Sequence, residues 1–88
     1  MATFLIERYW VGVGDGALRA ALARLDRARV QMAGEGRIVQ HLGSYLMADD
    51  QVVFSFMRAT SAAWVREANE LAALPFERIS EVNPYGVE

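Results

Sequence analysis

Imidazole chemistry in this chain has one source, His41, and there is neither a cysteine nor a lysine. An imidazole with an unperturbed pKa of ~6.5 suits proton transfer near neutrality and also ligates nickel, zinc or copper. Thiolate metal sites, disulfides and Schiff-base catalysis are excluded by residue type alone. Ser44, Ser55, Ser61 and Ser80 are hydroxyl candidates, but only His41 can serve any of them as a base. Two further patterns could bind ions. Gly12-Val13-Gly14-Asp15-Gly16 follows a strand and opens a helix, yet lacks the full dinucleotide or P-loop pattern, so it reads as a turn and cap. Asp49-Asp50 reads as turn chemistry, and Glu67 with Glu70 as a solvated helix face.

The elements that position these residues follow from periodicity. Residues 3–10 are rich in aromatic and aliphatic types and read as a strand, not as a signal peptide. Asp15 is placed to cap a helix over 17–32, where Leu18, Ala21, Leu22, Leu25, Ala28 and Met32 form one stripe. Gly34 and Gly36 end it. Residues 37–47 and 52–58 read as a hairpin turned at Asp49-Asp50. Thr60 or Ser61 caps a second helix over about 62–73, with Val65, Ala68 and Ala72 inward, and Pro75 stops it. Residues 77–83 form a last strand, closed by the turn 83–86 and followed by a short tail.

The order βαββαβ defines an α+β, ferredoxin-like fold: a four-stranded antiparallel sheet with two helices on one face, in a single domain over 1–88. Alternation along the strands then sorts side chains by face. One parity, Phe4, Ile6, Ile38, Leu42, Leu46, Val52, Phe54 and Phe56, belongs under the helices. The other carries Leu5, Glu7, Tyr9, Val39, His41, Gly43, Tyr45, Met47, Val53, Ser55 and Met57. This second set is too apolar to stay wet, so it predicts a homodimer in which two sheets stack as a dimeric α/β barrel. Glu7, Tyr9, His41, Tyr45, Ser55 and Met57 are its ligand-binding candidates around an inter-sheet cavity, with Glu7 and His41 as metal anchors.

Composition agrees. A chain of 88 residues has a modest core of its own, yet 53% of its residues are hydrophobic. A net charge of −2 without a basic run argues against nucleic acid as a partner. No segment approaches the ~20 apolar residues of a membrane span, and the simplest placement is cytoplasmic.

Leu5-Ile6-Glu7-Arg8, Ser44-Tyr45, and Pro75 followed by Arg78-Ile79-Ser80-Glu81-Val82 resemble a small bacterial family. Its best-described type is a nickel-binding protein with a ferredoxin-like fold, dimeric as an α/β barrel. The resemblance spans nearly the whole chain, and it implies that fold, a homodimer and nickel as the cofactor. The departures fall where metal chemistry would be. The family's cysteine-and-tyrosine strand ending in Tyr-Glu-Ala is Ser55-Phe56-Met57-Arg58-Ala59 here. A histidine often found in the second helix is Ala68, and the histidine or charged residue before Ser-Tyr is Gly43. One histidine per chain is a thin donor set for nickel.

The leading expectation is a non-enzymatic homodimeric binding domain for a metal ion or small ligand. The alternative is a barrel enzyme, a cofactor-free monooxygenase or isomerase, with His41 as acid or base. Such enzymes use asparagine, tryptophan and histidine around a cavity. Here Asn69 and Trp64 lie about 500° apart on one helix, which puts them on different faces.

Overall fold

The computed structural model describes residues 1–86, so the expected tail beyond Gly86 lies outside the described residues. The elements run β1 (Ala2–Tyr9), α1 (Asp15–Gly34), β2 (Val39–Met47), a 3₁₀ turn at Ala48–Asp50, β3 (Val52–Ala59), α2 (Ala62–Leu71) and β4 (Arg78–Val82). The strands form one antiparallel sheet in the order β2-β3-β1-β4, the ferredoxin-like arrangement. β1 sits between β3 and β4, so its backbone groups are paired on both edges. Among the described residues no helix is long and apolar enough to cross a membrane.

Both helices cover one face. The stripe on α1 buries Leu18, Ala21, Leu25, Ala28 and Met32, and α2 buries Val65 and Ala68. They meet Phe4 and Ile6 of β1, Val39 of β2 and Met57 and Ala59 of β3 in one core. Arg24 Nε donates to the Ala72 carbonyl at 2.8 Å, so α1 supplies a donor to the C-terminal end of α2. At the other end Ser61 Oγ accepts from the Trp64 amide at 3.4 Å, as its position before the helix predicts. The capping expected of Asp15 is absent. Gly14 is the N-cap, without a side-chain bond, and Asp15 lies inside the first turn. There its carboxylate still faces the positive end of the helix dipole.

Two strands depart from simple alternation. In β2 the register passes from His41↔Met57 to Gly43↔Phe56, so Leu42 is an extra residue and Leu42 and Gly43 share the uncovered side. Val39 and His41 are therefore under the helices before the bulge, and Ser44 and Leu46 after it. In β3 the parity is the reverse of the expected one. Val53, Ser55, Met57 and Ala59 are buried under the helices, while Phe54 and Phe56 stand half-buried on the other face. Both parities of β3 are apolar, so alternation alone left the choice open. The register settles it, because Ser55 lies opposite Ile6 and Met57 opposite Phe4.

Gly43 holds φ at +155°, where a side chain is strained even though nothing crowds the space beside it. Gly43→Ala is expected to destabilise the domain by about 1–3 kcal/mol. A lower urea midpoint at unchanged slope would show it, whereas an unchanged midpoint would mean that the bulge does not need glycine here.

Candidate functional site

The six candidate side chains divide between the two faces of the sheet. Glu7 and Tyr9 of β1 and Tyr45 of β2 point away from the helices, as expected. Ser55 and Met57 do not. Both are fully buried beneath the helices, and Met57 packs in the main core. His41 is also on the helix side and is half-buried. The expected single cavity lined by all six therefore does not form. Val39 and Val53, placed on the uncovered face by alternation, are core residues as well.

On the helix side the polar groups form a row across three strands. His41 Nε2 lies 2.9 Å from Ser44 Oγ, and Ser44 Oγ lies 2.7 Å from Ser55 Oγ. Arg8 Nε donates to Ser55 Oγ at 3.2 Å, and Arg8 Nη1 donates to the Pro75 carbonyl at 3.0 Å. Arg8 is fully buried and makes no ion pair within the described residues. Its Nη2 has no hydrogen-bond partner among the described residues. Loss of hydration disfavours the charged form and pushes its pKa down to about 10. Burial also lowers the pKa of His41, and the positive charges of Arg29 and Arg8 add to that effect. A main-chain hydrogen bond at Gly43 and the carboxylate of Asp26 oppose it. The imidazole is thus biased toward its neutral form, in which one ring nitrogen accepts and the other donates.

This row resembles a catalytic relay only in its residue types. Ser55 is closed off from solvent, and each hydroxyl already bonds to its neighbours in the row. Asn69, a residue the apolar spacing does not single out, is also buried. It donates to the Val65 carbonyl at 2.7 Å and contacts Met57 Sδ at 3.5 Å. The described hydrogen bonds join neither Asn69 nor Trp64 to His41.

The uncovered face is aromatic and aliphatic. Leu5, Phe54 and Phe56 lie half-buried in its middle, and Leu42, Tyr45 and Met47 project from β2. Tyr45 meets Phe56 edge to face, with ring centroids 6.2 Å apart and planes at 82°. Glu7 lies on this face too, where Arg78 Nε donates to its carboxylate at 2.6 Å. At the opposite end of the face a concavity opens between the β2 bulge and β4. Leu42, Tyr45, Phe56, Arg58, Thr60 and Val82 are among the residues that line it.

Metal coordination was the finer expectation for Glu7 and His41. They lie on opposite faces of the sheet, Glu7 held by Arg78 and His41 by Ser44. Among the described residues no three His, Cys, Asp or Glu side chains are grouped as a metal site would need. The residues present therefore do not fit a resident nickel ion.

Comparison with known proteins places this geometry in a family. A crystal structure of SCO4226 from Streptomyces coelicolor A3(2) superposes with a TM-score of 0.71 at 19% identity, over 97% of this chain and 100% of that one. At that identity the likeness concerns the fold. No curated protein matches the chain. The sequence profile described as "Nickel responsive protein SCO4226-like" matches residues 4–82. The chain belongs to the SCO4226-like family of nickel responsive proteins.

Proposed function

We propose that this protein is a non-catalytic homodimeric binding domain, in which two copies stack their uncovered sheet faces and hold a small organic ligand between them. The observation that carries the reading is the chemistry of that face. Leu5, Leu42, Tyr45, Met47, Phe54 and Phe56 lie together with no helix over them. A lone chain seldom leaves so contiguous an apolar surface in water. The exchange of β3 parity strengthens the argument, because two phenylalanines occupy positions where valine, serine and methionine were expected. A two-fold pairing brings the same patch from each copy and needs no further partner. Tyr9 and Tyr45, at 59% and 64% exposure, can bury their rings there and keep their hydroxyls at a wet rim.

The rival enzymatic reading needs His41 in the cavity, and its imidazole is instead bonded to Ser44 on the helix side. The family's nickel response is a weaker guide to this chain than its fold, since the two candidate metal ligands are separated by the sheet itself.

Sedimentation equilibrium at micromolar concentration is expected to give a dimer. Tyr45→Glu, which changes an exposed residue on the apolar face, is expected to give a folded monomer with unchanged far-ultraviolet dichroism. A monomeric wild type would overturn the reading. Titration calorimetry with nickel is expected to give no more heat from the wild type than from His41→Ala; a distinct heat lost in that variant would restore the metal role. The pH dependence of stability tests whether His41 is a structural group. Its pKa is lowered by folding, so the unfolded chain takes up the proton first. Stability is therefore expected to be unaffected by this group well above pH ~6.5 and to decline as the pH falls below that value. His41→Gln should flatten this part of the curve, and a wild type that gained stability on acidification through the same range would contradict the assignment.

A further inference from the structure

The concavity between the β2 bulge and β4 carries a cation that no carboxylate among the described residues neutralises. Arg58 is exposed on the uncovered face, opposite Thr3 of β1 and Gln40 of β2, and neither neighbour is acidic. Glu81 stands on the same rim, but no carboxylate among the described residues lies within ion-pair distance of Arg58. The other arginine on this face, Arg78, is already neutralised by Glu7. Beside Arg58, the hydroxyl-bearing residues Thr3, Thr60 and Tyr45 line the concavity, and Leu42, Phe56 and Val82 give it an apolar wall.

We propose that this concavity binds a small amphiphilic organic acid, with its carboxylate on Arg58 and an aromatic or short aliphatic body against Phe56, Leu42 and Val82. The inference rests on the binding-domain reading above and names the ligand class of that site. A guanidinium presents a planar fork of donors that matches a carboxylate in two parallel hydrogen bonds. Covering the face with a second copy removes water from Arg58, and a desolvated cation is costly unless an anion accompanies it. The ligand's carboxylate supplies that charge. The same cation repels a metal ion, so the site selects against the chemistry that Glu7 and His41 fail to provide. The apolar wall explains why an acid with a hydrocarbon body is favoured over a bare inorganic anion.

The test is titration calorimetry of the full chain with 3-phenylpropanoate, its neutral amide and inorganic phosphate. The acid is expected to bind at least roughly tenfold more tightly than either of the others, the scale of one charge-assisted hydrogen-bonded pair. Arg58→Gln is expected to remove that advantage and leave the amide unchanged, with folding checked by circular dichroism. Equal affinity for acid and amide, equal affinity for phosphate, or an acid affinity untouched by Arg58→Gln would each overturn the inference. Sedimentation on the same samples separates it from the dimer reading. A dimer that binds no acid refutes the ligand class alone, and a monomer that binds it through Arg58 refutes the dimer alone. A dimer that binds no acid and is loosened by Arg58→Gln would assign Arg58 to the contact between copies, against the ligand.

Discussion

The meeting of Ser44 with Ser55, and of Tyr45 with Phe56, depends on a single irregularity in β2. Leu42 and Gly43 face the same way, so the alternation that sends Val39 and His41 under the helices resumes in the opposite phase with Ser44 and Leu46. A one-residue offset in a strand exchanges its two faces completely. Here that offset brings Ser44 beneath the helices to meet Ser55 and His41, and it delivers Tyr45 to the apolar side. Without it, the buried polar row would lose its middle member and the outer face its edge-to-face aromatic pair.

That row has a cost that the fold offsets elsewhere. A guanidinium without a counter-charge is unfavourable in the interior, and among the described residues Arg8 bonds only to a hydroxyl and a carbonyl. Elsewhere Ile6, Met57, Val65 and Leu25 are buried together in one apolar core. The burial of those side chains, at roughly 1.5–3 kcal/mol each, carries the stability. The polar row fixes which groups face one another. The two contributions act on different links of the argument: packing makes the sheet and helices adhere, and the hydrogen bonds set how they are oriented.

Much of the architecture was readable from residue order. The α1 stripe and the sidedness of β1 follow from periodicity, the cap at Thr60 or Ser61 from residue type, and the ferredoxin-like fold from the element order βαββαβ. Glu7 and Tyr9 mark one side of β1 as plainly as Phe4 and Ile6 mark the other. The site was less readable, for three physical reasons. β3 is apolar on both sides, and the only discriminating signals, Arg58 outward and Ala59 inward, come at its end. The bulge in β2 has no signature beyond Gly43, which also fits an ordinary strand on an apolar face. Arg8 is a residue type that is almost always exposed, so no rule of composition would bury it. Its neighbour across the sheet, Val53, is visible only once the register is known.

The bond from Arg8 to the Pro75 carbonyl joins the middle of the sheet to the connection between α2 and β4. Everywhere else in the core, lifting an element exposes hydrocarbon and is opposed by the whole hydrophobic effect. At this connection, lifting also returns water to a dehydrated cation, which repays part of the work. The segment from Ala73 to Glu77 is held against that release from both sides, by Leu74 buried in the main core and by the Glu77 amide donating to the Glu7 carbonyl at 2.8 Å, so the dehydrated charge stays sealed beneath it.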